Sequence, residues 1–256
     1  MSHRTVPFSF SNDRGQTLAG LLELPAAPPL FYGVYAPCFT CTRESHAAHK
    51  VCRALTNCNV AMLRFDLTGL GASEGNFAET SFSTRILDIV AACRAVEKEY
   101  AAPKLLIGHS ISGTAALAAA SQVPSLQAVA TLGAPADPRH VVNGLRRHDL
   151  VKISGDMAEM TVTGRKYTVK KAMVDDMETY DMAGAMAALK KRLFIFHAPH
   201  DDIVPFHNAA DIRSRAVCDA EILPLSEGAT HLLERGDEDA AFIAETLACW
   251  FGQHLE

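Results

Sequence analysis

Short apolar runs alternate with stretches whose apolar positions recur at helical spacing, and the alternation spans most of the chain. Val6–Ser11 and Leu18–Leu24 read as a strand pair turning at Asn12-Asp13-Arg14-Gly15. Leu30–Ala36 and Val60–Phe65 read as further strands, with helical spacing over Ser45–Cys58 between them. A long helix is expected over Thr84–Tyr100. A strand Lys104–Ile107 then runs into His109-Ser110, followed by a small-residue helix Ala115–Ser121 and a strand Ala128–Leu132. After a break the pattern resumes with strands Leu193–Phe196 and Ala220–Leu225 and helices Asn208–Arg215 and Ala240–Phe251. Strands separated by helices predict a mostly parallel sheet flanked by helices on both faces. In such a sheet ligands sit at the carboxyl ends of the strands.

The break, residues 140–191, is polar and mixed, with a hairpin expected around Gly164 and a helix from about Lys171. It reads as a small cap insertion within a single domain of residues 1–256. Six methionines (Met157, Met160, Met173, Met177, Met182 and Met186) fall in it. Methionine adapts its shape, so these residues are expected either to form an apolar binding surface or to bury the cap against the core.

Composition narrows the class without naming a chemistry. Of 256 residues, 48% are hydrophobic and 21% charged, which suits one globular α/β domain with a large core. The net charge of -5 argues against a nucleic-acid partner. No apolar run reaches the length of a membrane span, and the first residues lack the shape of a signal peptide, so a cytoplasmic location is expected. Seven scattered cysteines read mostly as free buried thiols.

Gly108-His109-Ser110-Ile111-Ser112-Gly113 lies between a strand and a helix, the context of a nucleophile elbow. A serine exposed on so sharp a turn needs small neighbours. Gly108 meets that need on one side, whereas Ser112 replaces the usual second glycine. Ser110 as a simple helix cap is the bland alternative. A serine nucleophile requires a base, and the base requires a carboxylate to orient it. Asp201 follows a strand and precedes Val204-Pro205, and His231 stands in the later loop Gly228-Ala229-Thr230-His231. The order Ser110, Asp201, His231 is the order expected along the chain for this type of site. Asp202 and Asp137 compete with Asp201 for the acid role.

An oxyanion hole requires preorganised N–H donors. Ile111, just after the nucleophile, is one candidate. Phe39 is the other and Cys38 its fallback, because Pro37 has no N–H. Asp66–Gly75 is glycine-rich but lacks the Lys-Ser/Thr of a phosphate-binding loop, and it reads as a tight turn at the active-site floor. Cys38 and Cys41 have the spacing of a redox motif. His46, His49, His197, His200 and His207 do not form a zinc-binding helix pattern, and no metal or cofactor is expected.

Taken together, Asp66-x-x-Gly69-x-Gly71-x-Ser73, the elbow, the Asp201 loop and the His231 loop resemble the α/β-hydrolase superfamily over nearly the whole chain. Cys38-Phe39-Thr40-Cys41, Leu63–Asp66, Gly133–Pro138 and Gly164–Lys171 are similar to a bacterial subgroup often fused to an OsmC/Ohr-like domain, of which this chain would be the hydrolase module alone. That subgroup usually has His where this chain has Pro37. The resemblance implies hydrolysis of carboxylic esters or related acyl substrates through an acyl-enzyme, without a cofactor. A small-molecule acyl substrate, a homodimer and a separate OsmC-like protein are the candidate partners. Two other readings stand beside it: a non-catalytic scaffold module, and a thiol-dependent redox protein using Cys38 and Cys41.

Overall fold

A computed structural model describes residues 3–162 and 164–255. Thr163, in the turn of the hairpin expected around Gly164, lies outside them. The main sheet holds β1 (Arg4–Ser11), β2 (Thr17–Leu24), β3 (Tyr32–Ala36), β4 (Ala61–Phe65), β5 (Leu105–His109), β6 (Ala128–Leu132), β10 (Arg192–His197) and β11 (Ala220–Pro224). Its spatial order is β1-β2-β4-β3-β5-β6-β10-β11. The β1–β2 and β2–β4 pairs are antiparallel and the remaining pairs are parallel. This is the mostly parallel, helix-flanked sheet that the sequence pattern predicts, arranged as the resemblance to α/β hydrolases implies.

Alternation along the strands explains why both faces are covered. In β3, Val34 and Ala36 point into one core while Tyr35 enters the other, and β5 divides Leu106 from Leu105 and Ile107 in the same way. One core is closed by α1 (His46–Asn57) and α8 (Glu238–His254), through Val51, Leu55, Leu247 and Phe251. The other is closed by α2 (Phe82–Glu99), α3 (Ile111–Ala119) and α7 (His207–Arg215), through Ile89, Leu117 and Ile212. Each such fully buried side chain contributes roughly 1.5–3 kcal/mol from removal of apolar area from water.

The segment between β6 and β10 is more regular than its sequence suggests. It contains α4 (Pro138–Arg147), a three-stranded antiparallel sheet of β7 (Val151–Ser154), β8 (Met157–Val162) and β9 (Arg165–Lys170), then α5 (Lys171–Thr179) and α6 (Met182–Ala188). Asp137 caps α4 by accepting a hydrogen bond from the Arg139 N–H, and Pro138 follows it at the first helical turn. Met160, Met173, Met177, Met182 and Met186 are buried in the core beneath this segment, and only Met157 is exposed. They help bury this segment against α2 and α3. Of the two outcomes expected for them, burial of the cap against the core is the one observed.

Candidate active site

The sheet delivers its chemistry at the carboxyl ends of β5, β10 and β11. Ser110 sits between the end of β5 and the start of α3 with φ 56° and ψ −131°, a left-handed backbone that a non-glycine residue adopts only when the surroundings enforce it. Its N–H donates to the Leu132 carbonyl at 2.8 Å, and its carbonyl accepts from the Gly113 N–H at 2.7 Å. A Cβ on Gly108 would stand 2.2 Å from the Ser112 carbonyl, so the pinch admits only glycine there. The helix begins at Ile111, earlier than expected from its run of alanines. Ile111 thus holds the first helical position, where the N–H has no intrahelical partner.

Asp201, just past β10, is buried. Its Oδ1 accepts from the N–H groups of Ile203 at 2.9 Å and Val204 at 2.8 Å, and its Oδ2 stands 2.7 Å from His231 Nδ1. Burial alone would raise this carboxyl. The hydrogen bond and charge of His231, with the two backbone donors, outweigh burial and hold it below the usual carboxylate range. Asp202 is exposed, and Asp137 serves α4 as its cap. Lys50 of α1 donates to the carbonyls of Leu233 at 3.3 Å, Glu234 at 3.3 Å and Gly236, pinning the loop that carries His231.

His109 packs its ring 5.3 Å from that of His231 and donates from Nε2 to the His231 carbonyl at 2.8 Å. Ser110 and His231 are thereby held by neighbouring groups, although their own side chains share no hydrogen bond among the described residues. Burial pulls the His109 imidazole down to about 3. The folded protein therefore keeps it neutral where the unfolded chain, titrating near 6.5, takes up a proton. Stability is expected to fall as the pH drops through the window from about 6.5 towards 3, by up to about 1.4 kcal/mol per pH unit for one such proton. His197, donating to the Val204 carbonyl at 2.8 Å, is also lowered by burial and adds in the same sense. Urea midpoints at pH 7.5 and 5.0 check this. A His109→Gln variant should lose part of the difference, and an unchanged difference would refute the assignment.

Gly133, at the end of β6, escaped notice as part of the site. Its φ is 54°, and a Cβ there would lie 3.0 Å from Asp201 Oδ2 and 3.1 Å from His231 Nδ1. We predict that Gly133→Ala costs about 1 kcal/mol for the left-handed backbone. It should also lower kcat by roughly 10-fold or more by displacing the pair, since small misplacements near reacting groups are amplified. Thermal unfolding and steady-state kinetics check both parts.

A cavity of about 630 Å³ opens beside Ser110, floored by Phe39, Ser110 and Ile111 and walled by Val141, Leu145 and Leu150 of the insertion and by Ile203–Pro205. The glycine-rich turn does not line it. Instead the Asp66 carboxylate accepts from the N–H groups of Arg43 at 2.7 Å and Ala72 at 2.9 Å and pairs with the Arg43 guanidinium, so the turn anchors the far end of the 37–43 loop. Within that loop Cys38 and Cys41 are joined by a disulfide, against the expectation of free thiols. The histidines around Asp201 diverge, since His200 pairs with the exposed Glu227 at 2.8 Å while His197 faces the interior.

Residues 41–177 of this chain match the serine aminopeptidase S33 family, designated Hydrolase_4. The esterase domain of a Rhodothermus marinus protein is 38% identical, with 99% of both chains covered and a TM-score of 0.78. Est1E from Butyrivibrio proteoclasticus, solved with ferulic acid, is 19% identical over 97% of this chain and 99% of its own, with a TM-score of 0.77. The mitochondrial palmitoyl-protein thioesterase ABHD10 of Rattus norvegicus is 21% identical over 225 residues, which are 80% of this chain and 73% of that protein.

Proposed function

This chain belongs to the serine aminopeptidase S33 family of α/β hydrolases, and from that premise we propose that it is a carboxylic ester hydrolase acting through an acyl-enzyme. The observation that carries the reading is the pairing of a strained Ser110 at the strand–helix junction with a buried Asp201–His231 contact at the same end of the sheet. His231 takes the Ser110 proton as Oγ attacks the acyl carbon. The N–H groups of Ile111 and Phe39 hold the oxyanion. His231 then protonates the departing alcohol and next deprotonates the water that releases the acid. Asp201 keeps His231 protonated at Nδ1, leaving Nε2 free to act as the base.

The cavity's apolar walls suit a small acyl or aryl group. Thioesters and amides would engage the same groups. A thioester belongs in the test because a relative bears the name of a palmitoyl-protein thioesterase. The likeness at Cys38–Cys41 and Gly164–Lys171 supports the narrower placement among hydrolases fused to OsmC-like domains, and with it a separate OsmC-like partner. The Cys38–Cys41 disulfide favours a second reading, a redox protein. Turnover of p-nitrophenyl acetate, butyrate and octanoate and of an acyl thiocholine tests the first reading. A Cys41→Ser variant should retain turnover that Ser110→Ala lacks. The reverse pattern would favour thiol chemistry.

A further inference from the structure

Arg85, on the first turns of α2, is a buried cation with no carboxylate at salt-bridge distance among the described residues. Asp88, the nearest acid in sequence, is engaged elsewhere, accepting from the Thr68 N–H at 2.9 Å and from Asn12 Nδ2 at 3.1 Å. Asp88 acts on the guanidinium only through space, without a direct ion pair, and burying a cation with so little compensation is costly, so its retention points to a use. Its donors converge on one short stretch of backbone. Nη2 donates to the Phe39 carbonyl at 2.8 Å, and Nη1 donates to Ser112 Oγ at 2.8 Å and to the Cys38 carbonyl at 3.4 Å. Ser112 Oγ in turn donates to the Pro37 carbonyl. Three successive carbonyls, of Pro37, Cys38 and Phe39, are thus held by one guanidinium–hydroxyl unit. The guanidinium also lies 5.5 Å from the centre of the Phe39 ring.

We propose that Arg85 and Ser112 are a positioning pair that fixes and polarises the Phe39 peptide, making its N–H a stronger donor to the oxyanion. The inference rests on the serine-hydrolase reading and deepens it. The physical basis lies in the amide itself. The Phe39 N–H belongs to the same peptide group as the Cys38 carbonyl, which the guanidinium reaches only at 3.4 Å, so its main effects are to fix the orientation of residue 39 through the 2.8 Å bond to the Phe39 carbonyl and to set a positive charge behind the peptide. The positive charge also lies behind the place where negative charge develops, in an interior where such fields are poorly screened. Burial lowers the guanidinium only to about 10, so the charge persists at neutral pH. The departure at Ser112 from the usual glycine then acquires a reason. A glycine would leave the Pro37 carbonyl and the Arg85 Nη1 without the bridging hydroxyl.

The test compares wild type with Arg85→Met, Arg85→Lys and Ser112→Gly. It reads kcat and KM for p-nitrophenyl acetate, inhibition by a phenylboronic acid, whose tetrahedral adduct mimics the oxyanion, and melting temperature. Arg85→Met should lower kcat by about 10- to 100-fold and weaken the boronate by a similar factor, with KM changed by less than about 3-fold, since an oxyanion donor acts on the transition state. Arg85→Lys should recover part of that loss, and Ser112→Gly should lose about 3- to 10-fold in kcat. If Arg85→Met does not fold, the Lys and Gly variants carry the same comparison. Folded variants whose kcat and boronate affinity stay within 2-fold of wild type would overturn the inference while the hydrolase reading stands. A wild type that neither turns over ester nor reacts at Ser110 would overturn both.

Discussion

Ser110→Ala is expected to reduce kcat by about four orders of magnitude or more, because it removes the proposed nucleophile, and the members of a catalytic triad act as a unit. The loss should fall on kcat and not on KM, since the cavity walls are untouched. Alanine also removes no hydrogen bond that supports the elbow, because the turn is held through the backbone of residue 110 to Leu132 and Gly113. The melting temperature should therefore stay within a few degrees of wild type. Circular dichroism and steady-state kinetics on the same preparation separate a lost nucleophile from a lost fold. An alanine variant that retains more than about a tenth of wild-type kcat would contradict the assignment.

Asp201→Asn should cost about 10⁴-fold in kcat, the loss expected when the base is left in the wrong tautomer. The hydrogen bonds around Asp201 show how that tautomer arises. Asp201 Oδ1 accepts from Ile203 and Val204, so the asparagine must keep its oxygen there and turn its amide N–H₂ towards His231 Nδ1. His231 Nδ1 then accepts instead of donating, and Nε2 carries the proton and cannot serve as the base. Asp202→Asn is the control. Its side chain is exposed and makes no hydrogen bond to His231, so kcat should change by less than about 3-fold, while KM is free to change because Asp202 lines the cavity. Equal losses in the two variants would return the acid role to open question. A full loss in Asp202→Asn with none in Asp201→Asn would reverse the assignment.

The central sheet was legible because its strands are short, buried on both faces and spaced by amphipathic helices, so that each apolar run carried its own signal. The contact between Asp201 and His231 was suggested by chain order together with the place of each residue in a loop just after a strand, Asp201 also by its spacing to Val204-Pro205. The insertion was harder to read. α4 has an apolar face of Val141, Val142 and Leu145, but it is short and set among arginines and a histidine, and β7 is exposed along most of its length, so neither carries the long apolar run that marked the sheet elements. Asp137-Pro138 at its start is a further cue to α4. Gly133 stands in a stretch that carries the subgroup resemblance but has no legible role there, and Arg85 gives no signal in the sequence. A glycine after a strand looks like an ordinary turn, and an arginine on an amphipathic helix looks like a solvated face. Only the fold shows that one lies against His231 and the other is buried behind Phe39. For the methionines composition left two outcomes open, and burial decides between them: all but Met157 of the six turn inward.

The measurement that tests the central claim most directly is reaction with a fluorophosphonate, followed by mass spectrometry of the digested protein. The account predicts one adduct per chain, located on Ser110, formed by wild type and absent after brief acid unfolding. A folded protein that takes no label, or takes it on a residue other than Ser110, would contradict it.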